Sequence, residues 1–412
     1  MKEPKLRFKS DDGNQYPKWE EKRLEEVAVR ITRKNKDNCT DIPLTISSLD
    51  GLIDQRDFFN KIVASKDMSG YYLLKRGEFA YNKSYSKGFD FGSIKRLNLY
   101  DEGALSTLYI CFALNDNEDS DFYQKYFDSL SWYPELQKIC AEGARNHGLL
   151  NVSTNDFFQL KLHVPTSKEE QQKIASLFTE LDTLIQSAEK ELEGYRELKQ
   201  GMLQKMFPKK GETVPEIRFP EFSGDWKKHK LGDLAKIVGG GTPSTSNTDF
   251  WDGEINWFAP AEIANQVYVS SSERKITKLG YNSSSARMLP IGTVLFTSRA
   301  GIGKTAILSE EACTNQGFQS IVPDGSKLDS YFIFARSAEL KRYGETVGAG
   351  STFVEVSGKQ MAAMPLMIPP TLDEQKKIGE YFQNLDNLIA SQQQELEGYK
   401  ELKKGLLQQM FC

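Results

Sequence analysis

The residues most suggestive of catalysis lie at 298–305 and read SRAGIGKT. This run nearly fits the phosphate-binding pattern G-x-x-x-x-G-K-[ST], in which backbone N–H groups and the lysine bind phosphate oxygens. However, Ser298 stands where the first glycine is required, and AILSEE after Thr305 predicts a strand. A phosphate-binding loop must instead open a helix. The run GGGTPS at 239–244 lacks the G-x-G-x-x-G spacing and predicts a flexible loop.

Other catalytic patterns are equally incomplete. PD at 323–324 with ELK at 339–341 resembles a PD…ExK nuclease, but ELK also occurs at 197–199 and 401–403. There is no N-P-P-Y or D-P-P-Y run for amino-methyl transfer and no glycine-rich site for S-adenosylmethionine. The three histidines are far apart, and the five cysteines form no C-x-x-C. We therefore predict a chain without an active site of its own, which binds no metal or cofactor.

The sequence instead contains a long internal repeat. KIASLFTELDTLIQSAEKELEGYRELKQGMLQKMF at 173–207 matches KIGEYFQNLDNLIASQQQELEGYKELKKGLLQQMF at 377–411, with a constant offset of 204 residues. A shorter repeat, PKLRF at 4–8 and PEIRF at 215–219, precedes each globular body. The predicted organisation is a lead-in (1–23), a first body (24–164), a central helix (165–208), a second lead-in (209–230), a second body (231–368) and a C-terminal helix (369–412).

Both repeated segments are predicted to be long coiled-coil helices. Their apolar residues recur with a mean spacing of 3.5 residues, and only Lys199, Lys403 and Gln392 interrupt the pattern. Ser167–Glu170 and Thr371–Glu374 fit the capping box that opens a helix. Because 40 helical residues span roughly 60 Å, each helix is too long for one body and should act as a spacer between the two.

A stripe of small residues recurs along both helices at seven-residue spacing. Glycine inside a helix costs about 1 kcal/mol relative to alanine, so its repetition calls for a reason. Two interpretations remain open: the two helices of this chain pack tightly there, or the stripe is a groove for a partner subunit. The residues concerned are Ser187, Gly194, Gly201, Ser391, Gly398 and Gly405.

Both bodies mix short strands with polar turns and are predicted to share one α/β fold. GEFAYNKSYSKG at 77–88 aligns with GTVLFTSRAGIG at 292–303, and in both an apolar strand runs into a polar, basic turn. Such side chains can match the edges of DNA bases, or else contact phosphates or solvent only. The predicted DNA-binding residues are Tyr81, Asn82, Lys83, Ser84, Tyr85 and Lys87 in the first body, and Thr297, Ser298, Arg299, Lys304, Asn315 and Gln316 in the second.

The charge pattern is compatible with DNA binding although the net charge is −4. Residues 274–309 carry six basic side chains and no acidic one, and 75–96 carry six basic against two acidic. Local basic patches of this kind suit a DNA-binding protein whose affinity is shared with a partner. No apolar run reaches 18 residues, and the N-terminus lacks the apolar core of a secretory signal, which predicts a cytoplasmic protein.

Several of these segments resemble one family. Three segments resemble specificity subunits of type I restriction-modification systems: PEIRFPEFSGDWKKHKLGDL at 215–234, EQKKIGEYFQNLDNLI at 374–389 and its counterpart at 170–185. GGGTPS and NQGF in the second body are similar to that family as well, and the likeness covers essentially the whole chain. In the first lead-in, SDDGNQYPKW at 10–19 is looser than its counterpart.

The resemblance implies a fold and a function. The expected architecture is α/β (α+β): two similar target-recognition domains held apart by two long antiparallel coiled-coil helices, with an internal pseudo-two-fold repeat. The implied subunit is non-catalytic and binds a bipartite, gapped site in double-stranded DNA, with one half-site for each domain. It would recruit two methyltransferase subunits, which methylate adenine, and two restriction subunits. S-adenosylmethionine, ATP and magnesium would be bound by these partners and not by this chain.

Two other classes of function compete with this interpretation. An interaction scaffold would use the coiled coil to dimerise and the bodies to bind proteins. A stand-alone nuclease or methyltransferase would need an active site that the sequence does not reveal.

Overall fold

The computed structural model describes residues 3–59, 64–140, 150–299, 301–348 and 355–412. Contacts divide the chain into two compact units. Unit 1 comprises Met1–Ser187 and Leu396–Cys412, and unit 2 comprises Ala188–Glu395. The division falls inside both long helices, so each unit contains one body, the beginning of one helix and the end of the other. No helix in the described part of the chain is long and apolar enough to cross a membrane.

Unit 1 is built on two four-stranded sheets and one strand pair. Its strands are β1 (Glu20–Arg23), β2 (Ala28–Arg30), β3 (Pro43–Ser47), β4 (Gly51–Asp54), β5 (Tyr72–Lys75), β6 (Phe79–Asn82), β7 (Ser93–Arg96), β8 (Glu102–Leu105), β9 (Ile110–Leu114) and β10 (Lys161–Val164). Its helices are α1 (Leu24–Val27), α2 (Gln55–Phe59), α3 (Ser120–Asp128), α4 (Tyr133–Ile139), α5 (Thr154–Phe158) and the beginning of α6 (Lys168–Lys205).

Unit 2 contains a five-stranded sheet, a three-stranded sheet and one strand pair. Its strands are β11 (Lys227–Lys230), β12 (Ala235–Gly239), β13 (Trp251–Phe258), β14 (Tyr268–Val269), β15 (Lys275–Ile276), β16 (Val294–Phe296), β17 (Thr305–Leu308), β18 (Cys313–Thr314), β19 (Gln319–Pro323) and β20 (Pro365–Ile368). Its helices are α7 (Leu231–Leu234), α8 (Lys278–Asn282), α9 (Ser330–Ala335), α10 (Ser337–Gly348), α11 (Gly358–Ala362) and the beginning of α12 (Leu372–Met410).

Each body contains its own copy of one type of antiparallel sheet. Its strand order is β2-β9-β6-β7 in unit 1 and β12-β19-β16-β17 in unit 2, where β14 adds a fifth, parallel strand. The predicted match of 77–88 with 292–303 is confirmed, because these segments contain the equivalent strands β6 and β16. The other sheets differ, with order β4-β3-β8-β5 in unit 1 and β15-β13-β18 in unit 2. The bodies are therefore related in fold but differ in their second sheet.

A buried ion pair joins the lead-in of each unit to its long helix. The Arg7 guanidinium donates from Nε and Nη2 to the two carboxylate oxygens of Glu170, at 2.9 and 2.8 Å. Arg218 makes the same two bonds to Glu374, both at 2.7 Å. The carboxylates are 0% and 1% exposed. This corrects the capping-box prediction, since Ser167 and Thr371 do accept from the backbone N–H but each carboxylate binds an arginine instead.

The next residue of each helix joins it to the body. The side-chain oxygen of Gln171 accepts from the backbone N–H of Asp119 (3.3 Å), and that of Gln375 accepts from Asp329 (3.1 Å). Each aspartate caps a body helix, α3 or α9, by accepting from the N–H three residues on. A Glu-Gln dipeptide in the first helical turn thus orients both the lead-in and the body.

Within each unit, the beginning of one long helix packs antiparallel to the end of the other. In unit 1, Phe178 stacks on Phe411 with ring centroids 5.7 Å apart. Further along, Asp182 accepts from Lys403 at 2.6 Å and from Lys125 at 2.5 Å. Burial acts to raise the pKa of Asp182, but these two ammonium groups outweigh it and lower that pKa below its usual range.

Unit 2 repeats this arrangement. Phe207 stacks on Phe382 at 6.0 Å, and Asp386 accepts from Lys199 and, at 2.7 Å, from the hydroxyl of Tyr331. Lys199 and Lys403, the charged residues that interrupt the predicted seam, are therefore ionic partners of the opposing helix. Polar residues in a seam of this kind can specify its register.

We expect the buried ion pair to be required for the stability of each unit. Arg218→Ala leaves the carboxylate of Glu374 buried without its cation, which should lower the free energy of unfolding by about 3–5 kcal/mol. Denaturant unfolding of the chain measures this loss. Arg287→Ala, which removes an exposed arginine of the same unit, is the matched control and should change stability by less than about 0.5 kcal/mol. Equal losses in the two variants would contradict the assignment.

Candidate nucleic-acid interface

In the first body, the predicted DNA-binding residues divide into core and surface. Tyr81 lies on β6 and is fully buried, with its ring stacked 4.6 Å from that of Phe157. Its hydroxyl donates to the carbonyl of Phe91 at 2.9 Å, and burial strongly raises the pKa of Tyr81. The prediction that Tyr81 contacts DNA is therefore wrong, because the strand directs this side chain into the core.

The residues after β6 form a surface turn. The side-chain oxygen of Asn82 accepts from the backbone N–H of Ser84 at 3.0 Å, which orders the turn. Lys83 and Ser84 are half-buried, whereas Tyr85 and Lys87 are exposed, Tyr85 by 53%. The turn therefore presents an aromatic ring and lysines to solvent, and these residues remain candidates for DNA contact.

In the second body, Thr297 and Ser298 belong to the interior. Both are 0% exposed. The Thr297 hydroxyl donates to the carbonyl of Gly301 at 2.7 Å and accepts from the N–H of Lys304 at 2.9 Å. Ser298 Oγ is buried without a hydrogen-bond partner in the described part of the chain. The predicted base contacts of Thr297 and Ser298 are thus wrong, because both side chains are fully buried and the Thr297 hydroxyl bonds the β16–β17 turn from within.

The remaining predicted residues of the second body lie at its surface. Lys304 and Gln316 are exposed, whereas Arg299 and Asn315 are half-buried. Arg299 has one carboxylate nearby, that of Glu355 at 4.0 Å. The N–H of Ser298 donates to the carbonyl of Gly317 at 2.8 Å, which joins the turn carrying Arg299 to the loop carrying Gln316. The structure therefore brings these four side chains to two adjacent loops.

The glycine-rich run at 239–244 is packed and not a flexible loop as predicted. A Cβ on Gly240 would lie 2.0 Å from the carbonyl oxygen of Asn315, and one on Gly241 would lie 2.3 Å from Ser285 Oγ. The carbonyl of Gly241 also accepts from the indole N–H of Trp257 at 2.8 Å. Gly240 is needed because the backbone passes directly against the Gln316 loop, and Gly241 is needed because it passes against Ser285.

Sequence reasoning missed one preorganised cation. The guanidinium of Arg274 lies 3.7 Å from the ring centroid of Trp251, which itself packs edge-on against Trp257. Stacking on an aromatic ring restricts the orientations of an arginine before a ligand binds. The signal available in the sequence was the acid-free run 274–309, in which Arg274 is the first residue.

The small-residue stripe faces open space. A Cβ added to Gly194, Gly201, Gly398 or Gly405 would meet no atom within 4 Å. Tight packing between the helices of this chain therefore does not account for these four glycines. Ser187 and Ser391 are likewise exposed.

Exposed leucines on the same helix faces were missed. They follow the heptad spacing of the small residues, which is the signal that could have revealed them. Their exposed fractions are 44% for Leu184, 45% for Leu198, 46% for Leu388 and 50% for Leu402. A face that alternates leucine with glycine or serine offers both apolar knobs and the space for a partner's side chains.

The described residues contain no group of three or more His, Cys, Asp or Glu side chains placed to hold a metal ion. The run at 298–305 ends in β17, as expected from AILSEE, and does not open a helix. Its geometry is that of a strand–turn–strand hairpin, with Gly301 and Gly303 at φ 106° and 94°.

Comparison with known proteins yields one consistent family. Residues 223–398 match the family model described as type I restriction modification DNA specificity domain. The MjaIX specificity subunit of Methanocaldococcus jannaschii is 33% identical over 190 residues, 45% of this chain and 44% of that subunit. The chain thus matches less than half of that relative. The MjaX specificity subunit of the same organism is 23% identical over 97% of this chain and 94% of that subunit.

Solved structures show the same fold. The S subunit of a type I system from M. genitalium superposes with a TM-score of 0.61 at 12% identity, covering 100% of this chain and 99% of that one. The HsdS subunit from Thermoanaerobacter tengcongensis superposes with a TM-score of 0.50 at 18% identity, covering 96% and 97%. The predicted fold class, two α/β bodies with two long helices, is thereby confirmed.

Substitution of the two buried hydroxyls tests whether Thr297 and Ser298 have a structural or a DNA-contacting role. Ser298→Ala removes an unbonded buried oxygen, so stability should stay the same or rise by up to about 1 kcal/mol. Thr297→Val breaks two hydrogen bonds and should lower it by about 1–3 kcal/mol. Denaturant unfolding measures both. A Ser298→Ala variant that is fully stable but loses DNA recognition would restore Ser298 to the interface.

Proposed function

We propose that this chain, which belongs to the family of type I restriction-modification DNA specificity subunits, reads a two-part DNA target and directs partner enzymes to it. Each body would bind one half-site. The observation that carries this proposal is the repetition of one framework around two different bodies. The Arg–Glu pair, the Gln–Asp bond and the helix packing recur in both units, whereas the second sheets and the surface loops differ.

The surface chemistry supports DNA as the ligand. Lys83, Tyr85 and Lys87 project from the first body, and Arg299, Lys304 and Gln316 from the second. Lysine and arginine bind phosphates, which supplies affinity without sequence information. Arginine and glutamine can also bind base edges in the major groove. Loops that combine the two kinds of side chain can position a body on DNA and discriminate between sequences.

The chemistry of methylation and cleavage is assigned to partners. We propose two methyltransferase subunits carrying S-adenosylmethionine and two restriction subunits carrying ATP and magnesium. Their docking faces would be the exposed stripes of the long helices, Ser187, Gly194 and Gly201 on α6 and Ser391, Gly398 and Gly405 on α12. Because the two stripes match in sequence, they suit two copies of one partner.

Mapping methylated adenines in a host that expresses the partner methyltransferase, with and without this chain, tests the proposed function. We expect a gapped, two-part motif only when the chain is present. Arg299→Ala should relax or abolish recognition of only one half-site, because Arg299 lies in one body. Methylation that is absent or unchanged, although both proteins are folded and associated, would favour the protein-binding scaffold instead.

The partner stripes generate a separate prediction. Leu198→Arg with Leu402→Arg puts a charge in place of an exposed leucine on each stripe. The substitutions should lower the affinity for the methyltransferase subunits by roughly tenfold or more, so that fewer subunits are bound. Native mass spectrometry of the complex counts the subunits. Gln186→Arg with Ala390→Arg is the matched control, because these exposed positions are turned about 120° from the substituted leucines on the same helices. Unchanged stoichiometry and affinity in the leucine variant would exclude these faces as the docking surface.

A further inference from the structure

Gln316 is exposed at the tip of the loop between β18 and β19, and the residues around it are buried. Thr314, Gly317 and Phe318 have little or no exposed surface, and Asn315 is half-buried. A long polar side chain thus projects from a base that is itself packed into the second body. This is the arrangement needed for a side chain that must meet a ligand at a defined position.

The backbone of this loop is held by hydrogen bonds to two other segments and by one bond within the loop. The N–H of Asn315 donates to the carbonyl of Phe258 at 3.0 Å, and the N–H of Gly317 donates to the side-chain oxygen of Asn315 at 2.7 Å. The carbonyl of Gly317 accepts from Ser298, as described above. Because two of these bonds tie the loop to other segments and the third braces it from within, the Cα of Gln316 has little freedom to move.

The glycine-rich run is the third segment that contacts this loop. The N–H of Gly241 donates to the carbonyl of Thr314 at 2.8 Å. At Gly240 there is no room for a Cβ, since the carbonyl oxygens of Asn315 and Thr314 would lie 2.0 and 2.3 Å away. This contact places the next residue of the run, Thr242, beside the side chain of Gln316.

Thr242 sets the orientation of the glutamine amide. Its hydroxyl donates to Oε1 of Gln316, and this bond holds Oε1 in place as the acceptor end of the amide. Oε1 keeps its second lone pair, and Nε2 has no partner within the described residues and keeps both hydrogens. The amide therefore presents one acceptor and one donor side by side in a fixed order.

We propose that Gln316 is a specificity-determining residue that reads one adenine in the half-site of the second body, with Thr242 as its positioning residue. Adenine presents an N6 donor and an N7 acceptor in the major groove, the complement of Oε1 and Nε2 in that order. Arg299 and Lys304, on the adjoining turn, supply cations for the flanking phosphates. The inference rests on the proposed function and adds to it the base recognised.

The test compares the methylated motif of the complete complex for the wild-type chain and Gln316→Ala. We expect one adenine position of one half-site to become unselective, a loss of roughly 5- to 150-fold discrimination, while all other positions keep their bases. Gln15→Ala, an exposed glutamine of the first lead-in, is the matched control and should leave the motif unchanged.

Two further variants separate base reading from a general role. Gln316→Glu presents acceptors only and should shift the preference at the same position from adenine to cytosine, whose N4 group is a donor. Thr242→Val keeps the side-chain shape but frees the amide to rotate, which should weaken the preference for adenine there without creating a new preferred base. An unchanged motif in Gln316→Ala, or a uniform loss at every position, would overturn the proposal.

The outcome for the wild-type chain distinguishes the two levels of inference. If it directs no gapped motif, the proposed function fails. If it does, and Gln316→Ala leaves that motif intact, only the adenine assignment fails.

Discussion

The framework that joins the lead-in, the body and the long helix of each unit depends on a desolvated carboxylate. Glu170 and Glu374 are almost completely buried, and an unpaired ionised carboxylate in such a place would cost several kcal/mol. An arginine from the lead-in must therefore reach it, with both donors of the fork aligned. In unit 2 the indole N–H of Trp226 also donates to Glu374 at 3.3 Å. In unit 1 the equivalent Trp19 Nε1 is buried without a partner among the described residues. The two frameworks are therefore close copies that differ in detail.

This constraint explains why the sequence repeats where it does. The arginine of PKLRF or PEIRF and the glutamate of the helix are about 160 residues apart, at a separation of 163 in unit 1 and 156 in unit 2. Neither motif can change alone without leaving the other charge buried. No such requirement acts on the exposed side chains of the loops after β6 and β16, such as Lys87 and Lys304. Residues of the framework depend strongly on one another, whereas exposed loop residues do not. The two bodies can therefore differ while the contacts that join them to the long helices stay the same.

Regular patterns in the sequence predicted the fold well, and side-chain direction at the interface less well. The 3.5-residue periodicity located both long helices, and the alignment of 77–88 with 292–303 matched equivalent strands. The predictions for Tyr81, Thr297 and Ser298 are wrong because a polar side chain at a strand end can point into the core as well as outward. Burial in the shared sheet depends on neighbours that are distant in sequence. Similarly, the packing of Gly240 against Asn315 involves a contact 75 residues away, which local spacing does not encode.

Each unit contains the end of the long helix that begins in the other unit, and this affects the order in which the units fold during translation. The core of unit 1 includes Met410 and Phe411, whose ring lies 6.4 Å from that of Trp19, and the N–H of Leu6 donates to Gln409. Unit 2 draws only on residues 188–395. On the ribosome the later unit can therefore complete its core first, while the earlier one waits for the last turn of α12. During that interval the aromatic cluster of unit 1 remains open, which is the period of greatest exposure to aggregation and chaperones.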